Sequence, residues 1–325
     1  MKSREIVTRT LNFENPQRVA HSFSESDLIF STHKAKTHET NWKKLDKIRW
    51  EKTDEWGNTW ARIDETSKGE VIKGVLEKPD EVDDYILPDF SKSEDYKYTA
   101  EIFRNETEKF RIGSVPGFTF NIARKLFKLE DYLIYLLIEP DQISKLHDKI
   151  DVAISDMIKN YGKAGADGIM FPEDWGTQNQ TLINPELWRR EFFPRTKKFC
   201  SLAHEYNLKV IMHSCGAIKA IIPGLIEAGI DCLQFDQPIL HGIDTLASYQ
   251  EKGEISFWCP VDIQKTLQTK NERLIRDESS ELINKLWKGR GGFIAGYYSD
   301  NASIGLDPKW QEIASDEFTK QGVLK

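Results

Sequence analysis

The sequence predicts an α/β fold: a (β/α)8 TIM-type barrel with an N-terminal helix and a β-hairpin excursion. Three observations predict it. Short apolar, strand-like pulses recur at 111–115, 167–171, 208–213, 231–235, 255–259 and 292–297, with helical patterns between them. Repeated strand–helix units of this size imply a parallel sheet. The chain has 325 residues and 39% hydrophobic content, which suits one large barrel read as a single domain over 1–325. Finally, several consecutive strand ends run into polar, chemistry-bearing residues, as the active face of a barrel requires.

The elements follow in order. Residues 3–12 read as a helix with Ile6, Val7 and Leu11 on one side, and Asn15-Pro16 marks the turn after it. Residues 18–23 read as a first strand. From 43 to 64 aromatic and polar residues alternate, with Trp50, Trp56 and Trp60 about the turn signal Gly57-Asn58, predicting a hairpin laid over the barrel. Residues 65–95 are acidic and carry Pro79 and Pro88, so about 43–95 reads as hairpin and connecting excursion. Asn184-Pro185 is an N-cap followed by proline at the first helical position, opening a helix to about Tyr206. A second helix spans 217–228, with Gly229 as its stop. These pulses number seven. The eighth strand lies within 24–110, or the sheet is open and doubly wound.

Composition removes several function classes. The net charge of −7 argues against a uniformly basic nucleic-acid face. No stretch approaches the roughly 20 apolar residues of a membrane span. The opening Met-Lys-Ser-Arg-Glu lacks the apolar core of a secretory leader. Four scattered cysteines read as reduced thiols, and together these features place the expectation in the cytoplasm.

The candidate site lies on the strand ends. His213-Ser214-Cys215-Gly216 follows the fourth pulse, and strand alternation puts His213 and Cys215 on one face. Imidazole and thiolate are good zinc ligands, and Cys259 or Glu173 from neighbouring strands would complete a set. The alternative is a hydrogen-bonded histidine beside a free thiol. Glu173 and Asp174 are adjacent acids suited to ligation or general-base work, or to capping a loop. Asp236 and Gln237 are placed to hydrogen-bond a polar substrate or to close the turn before Pro238. Gln178, Tyr297 and Tyr298 are placed to line a pocket. Gly216 would let an anionic group approach a helix N-terminus.

These residues carry a resemblance. The run Leu11-Asn12-Phe13-Glu14-Asn15-Pro16-Gln17-Arg18-Val19 is similar to the opening of the uroporphyrinogen decarboxylase superfamily. Further matches are Asp54-Glu55-Trp56-Gly57, Glu173 to Gln178, Pro185 to Trp188, Pro194, and His213 to Gly216 followed by Ile221 to Asp231. Gly291 to Ile294 and Pro308 complete the series. The chain resembles the corrinoid-dependent methyltransferase-like branch. The true decarboxylases carry an arginine-rich segment near the start, whereas here Val19 is followed by Ala20-His21-Ser22-Phe23-Ser24-Glu25-Ser26.

The resemblance implies a methyltransferase that moves a methyl group between a small methylated substrate or thiol and a methyl-corrinoid carried by a partner protein. It implies zinc held by His213 and Cys215. The family's later cysteine has no counterpart at Gly296-Tyr297-Tyr298, so Cys259 or Glu173 would substitute. The implied catalytic set is Glu173, Asp174, His213 and Asp236, with Gln178, Gln237, Tyr297 and Tyr298 about the substrate. The alternatives are a decarboxylase of the uroporphyrinogen type in porphyrin biosynthesis, and a non-catalytic binding protein on the same fold. The expected partners are the corrinoid protein and a small molecule, without nucleic acid or membrane; pairing of two barrels as a homodimer is compatible with the fold.

Overall fold

In the computed structural model, which describes residues 1–33, 42–251, 253 and 255–324, eight parallel strands form one sheet. Helix α1 (Ser3–Leu11) precedes β1 (Ala20–His21) and β2 (Leu28–Ser31). The excursion follows as β3 (Lys43–Lys44), β4 (Trp50–Thr53), β5 (Thr59–Arg62) and β6 (Glu70–Lys73). Then come α2 (Lys97–Asn105), β7 (Phe110–Ser114), α3 (Thr119–Phe127), α4 (Leu129–Ile138), α5 (Pro140–Lys163) and β8 (Gly168–Pro172). Helices α6 (Pro185–Glu191) and α7 (Phe193–Glu205) lead to β9 (Lys209–His213), α8 (Ile222–Ala228), β10 (Cys232–Gln234) and α9 (Ile243–Tyr249). The chain ends with β11 (Ser256–Cys259), α10 (Glu272–Leu282), β12 (Phe293–Ala295) and α11 (Lys309–Gln321).

The sheet order is β1-β12-β11-β10-β9-β8-β7-β2. The eighth strand is therefore β2, and the doubly wound alternative falls away. Both sheet edges come from one short stretch, residues 20–31. Asp27 links them: its N–H donates to the His21 carbonyl at 3.0 Å, and its carboxylate accepts from the His21 N–H at 2.9 Å and from Arg18 at 2.7 Å. Asp27 is fully buried, so these bonds meet the need of an otherwise costly charge.

Strand parity sorts the interior. Ala20, Leu28, Phe110, Ile112, Ile211, Cys232, Trp258 and Ile294 form one cluster with Ile6, Val7 and Leu11 of α1. This is the barrel lumen, plugged at its N-terminal end by α1. The alternate residues, including Ile169, Phe171, Val210, Met212, Phe235, Phe257 and Cys259, pack in the larger cluster with the helices. Helix α5 begins on Pro140 and buries Ile143, Leu146, Ile150, Ile154, Met157, Ile158 and Tyr161 at three- and four-residue spacing, as an amphipathic helix against a sheet does.

Two helix boundaries differ from expectation. The 184–206 helix is two helices that meet at Phe192, just before Pro194, which lacks an N–H. The second expected helix starts at Ile222 rather than at 217. Gly229 ends it in the left-handed conformation, with φ at 102°. The hairpin is the centre of a four-stranded antiparallel sheet, β3-β4-β5-β6. Its turn is organised by Asp54, whose carboxylate accepts from the Trp56 and Asn58 N–H groups and from the Trp60 indole at 2.7 Å. Trp56 is buried against Phe90, whereas Trp50 and Trp60 face lysine and arginine heads. No helix among the described residues is long and apolar enough to cross a membrane.

One buried acid gives a stability prediction. Glu278 on α10 accepts the Asp262 N–H at 2.8 Å beyond the end of β11. Burial, with the Asp262 charge adding, pushes its carboxyl up to about 7 against the hydrogen bonds it accepts. The folded chain thus holds this proton more tightly than the unfolded one. The contribution is present below the ordinary carboxyl range and is lost as pH rises through about 7. Glu278→Gln is expected to raise stability by roughly 1–2 kcal/mol near pH 8 and to leave it unchanged near pH 4. Thermal midpoints across pH check this; equal differences at both ends would refute it.

Candidate functional site

Parity decides which rim residues meet. Met170 faces the lumen, so Pro172 and then Asp174 continue on that side. Ile211 does likewise, carrying His213 and Cys215 inward, and Cys232 leads to Gln234 and Asp236. Asp174, His213 and Cys215 bring one oxygen, one nitrogen and one sulfur within 4.8 Å of one another. His213 Nε2 lies 3.3 Å from Cys215 Sγ and 3.5 Å from Asp174 Oδ1. Tetrahedral zinc with bonds of roughly 2.0–2.3 Å separates its ligands by about 3.3–3.7 Å, so these distances suit the metal. Three protein donors leave a fourth position open.

The other two expected ligands lie elsewhere. Cys259 shares the parity of Phe257, opposite to lumen-facing Trp258, and is fully buried among the helix-facing side chains. Burial pushes its thiol far up. Glu173 has the parity of Phe171 and also turns outward. Its Oε2 accepts the Asn121 N–H of α3 at 2.9 Å, and its buried Oε1 has no hydrogen-bond partner among the described residues. Burial pushes the carboxyl up to about 8, so at neutral pH it is mostly a neutral acid that ties the rim loop to α3. Of the adjacent acids, the one that reaches the pair is Asp174.

Asp174 is held from three sides. Its Oδ1 accepts the Cys215 N–H at 3.0 Å and its Oδ2 meets Arg124 of α3 at 3.2 Å. Burial works against its charge, yet His213, Arg124 and the Cys215 N–H hold it below the ordinary carboxylate range. The Cys215 thiol is pushed up to about 12 by desolvation, with the Asp174 and Asp236 charges adding. A divalent cation among these donors would reverse that and favour thiolate.

The residue that sequence reasoning missed is Gln234. Its Nε2 donates to Asp236 Oδ1 at 2.8 Å, so its oxygen faces His213 and accepts from Nδ1. Nδ1 therefore carries a proton, which leaves Nε2 as the ring atom that would ligate a metal on the Asp174–Cys215 side. Such outer partners fix the tautomer and ring of a metal-binding histidine. Asp236 thus meets His213 by way of Gln234. The available signal was alternation: Cys232, Gln234 and Asp236 share a face. Arg124 gave no local signal, since it reaches the site from a helix fifty residues upstream of Asp174.

Gly216 serves close approach. The helix expected behind it begins only at Ile222, and Gly216 instead lies against Gly176. The Gly176 N–H donates to the Cys215 carbonyl at 3.2 Å and the Ala217 N–H to the Thr177 carbonyl at 2.7 Å. The loops bearing Asp174 and Cys215 are thus zipped together. Around them, Gln178 and Gln237 exchange amide hydrogen bonds at 3.3 and 3.4 Å. Tyr297 takes a bond from Asn301 at 3.4 Å. Tyr298 meets Lys68 of the excursion at 3.2 Å, and the Lys68 ammonium is raised by Tyr298, Asp236 and Asp300 against desolvation. The excursion thereby reaches the mouth rim.

Comparison with known proteins agrees with this architecture. A methyltransferase from Methanosarcina mazei superposes with a TM-score of 0.59 at 15% identity, over 78% of this chain and 72% of that one, a likeness of fold. Over 120 residues, 36% of this chain, the sequence is 30% identical to the methylated-thiol–coenzyme M methyltransferase of Methanosarcina mazei; the match spans 30% of that relative's length. Residues 62–297 match the family described as Uroporphyrinogen decarboxylase (URO-D). With most of its length matched and the barrel present, the chain belongs to the URO-D family.

Proposed function

We propose that this protein is a methyltransferase that moves a methyl group between a small methylated substrate or thiol and a corrinoid carried by a partner protein. In this reading Asp174, His213 and Cys215 hold zinc. The observation that carries it is the convergence of three donors with an oriented histidine at the barrel mouth. Local similarity to a methylated-thiol methyltransferase supports the same chemistry. Bound zinc would supply positive charge that keeps a thiol or alcohol substrate deprotonated at neutral pH. The chain's own residues do the rest. Gln234 holds the His213 proton on Nδ1, Arg124 fixes the Asp174 carboxylate, and the Gln178–Gln237 pair offers amide groups to a substrate.

The test mixes the purified protein with methylated thiols and a cognate corrinoid protein. The corrinoid absorbance is expected to change as the cobalt gains the methyl group, with zinc bound at about one per chain. Absence of both, with release of carbon dioxide from a carboxylated substrate instead, would replace this reading with a decarboxylase.

A further inference from the structure

A cavity lies on the same rim, away from the triad. It has a volume of about 350 Å³ and sits between the excursion sheet and the ends of β2 and β7. The sheet order puts β7 and β8 between β2 and β9, so the cavity opens beside the zinc-suited site without containing its residues. That volume is at the small end of ligand pockets, which run from roughly 300 to 1,000 Å³. Trp56, Trp60, Val115, Pro116 and Ile122 give it flat, apolar walls.

Two acids and two lysines line it, and the acids are the ones held by hydrogen bonds within the wall. Asp54 is taken up by the turn N–H groups, the Asn58 amide and the Trp60 indole. Glu55 Oε2 meets His33 Nε2 at 3.3 Å. Neither lysine ammonium has a hydrogen bond or close ion pair among the described residues, although the Asp54 charge acts on both and the Asp174 charge on Lys125. Lys52 Nζ lies 5.2 Å and Lys125 Nζ 5.5 Å from the Trp60 ring centroid. Desolvation, with Arg124 adding and the Asp174 and Asp54 charges opposing, brings the Lys125 ammonium down to about 8. His33 also lines the cavity, held through Nε2 by Glu55, with its side chain 8% exposed. An enclosed cation without a close partner is costly, and a ligand that supplies the partner recovers that cost.

We propose that this cavity binds a small organic anion, a carboxylate on a flat apolar body, with Lys125 as its charge partner. The tryptophan walls stack the body, and the ammonium pairs with the carboxylate. The apolar lining fits a monoanion with a hydrophobic body better than an inorganic phosphate, which would leave those walls unused.

Calorimetric titration of the intact protein with benzoate, beside its neutral isostere benzamide, tests this without any transfer assay. Failure here therefore leaves the methyl-transfer reading untouched. Benzoate is expected to bind at micromolar to millimolar concentration, and benzamide at least about tenfold more weakly. Lys125→Met is expected to lose at least about tenfold for benzoate and little for benzamide, and Lys125→Arg to restore most of the difference. Circular dichroism confirms that each variant is folded. Equal binding of benzoate and benzamide, unchanged benzoate binding in Lys125→Met, or no benzoate binding at millimolar concentration would overturn the proposal.

Discussion

Exchanging His213 for alanine is expected to strip the protein of zinc and lower methyl transfer by roughly 10³-fold. His213 stands between the other two donors, 3.3 Å from the Cys215 sulfur and 3.5 Å from Asp174. Without it only two protein ligands face the lumen, fewer than the three that catalytic zinc sites keep. Loss of the metal removes several kcal/mol of charge stabilisation, and each 1.36 kcal/mol is tenfold in rate. Gln234→Leu should act more gently, with a 10- to 100-fold loss of metal affinity, because it frees the ring without removing a donor. Cys259→Ser should leave zinc content unchanged, since that thiol faces the helix layer. Metal analysis after dialysis gives zinc per chain, and cobalt substitution adds a sulfur-to-metal absorption that should vanish in Cys215→Ser. Full zinc retention in His213→Ala would defeat the assignment.

Gly216→Val is expected to destabilise the fold by about 3 kcal/mol or more and to disperse the metal site. Gly216 has φ of 76°, a region that branched side chains rarely adopt. A Cβ here would also sit 2.4 Å from the carbonyl carbon and oxygen of Gly176, which are backbone and cannot swing aside. Gly305 separates the two causes. It too has positive φ, 61°, but nothing lies within 4 Å of its would-be Cβ. Gly305→Val should therefore show backbone strain alone, about 1–3 kcal/mol, and bind zinc normally. The excess in Gly216→Val measures the loop contact, and it should appear together with lost zinc. Denaturant unfolding and metal content, measured on both variants, decide it. Equal destabilisation of the two would show that the loops separate freely and that the glycine pair does not position Asp174.

The parts of this molecule that were legible in its sequence are those where one physical rule acts alone. The strands from β7 onward show because each is a buried apolar run followed by an amphipathic helix. β2 did not show, because it follows β1 with no helix between, and the strand–helix rhythm was the signal being read. The location of the site was legible for a similar reason: His213 and Cys215 alternate within a single strand end. Choosing their third partner required knowing which neighbouring residue shares that face. Glu173 and Asp174 are adjacent in sequence and point to opposite sides, so composition could not separate them, whereas parity counted from Met170 does. The same count sets Cys259 apart through lumen-facing Trp258. Gln234 was overlooked because an amide bears no mark of chemistry until its two neighbours, His213 and Asp236, define which end must donate.

The double role of residues 20–31 also sets the order in which the protein can assemble during synthesis. Ala20 pairs with Ile294 and Leu28 with Phe110, so β1 emerges from the ribosome long before its partner exists. At roughly 5–20 residues per second, the nascent chain carries an unpaired edge for tens of seconds. Closure comes last and joins the most distant parts of the chain, the kind of contact that slows folding. Truncated chains ending before β12 should thus stay open at that seam and bind chaperones, while the finished chain seals itself in one late step.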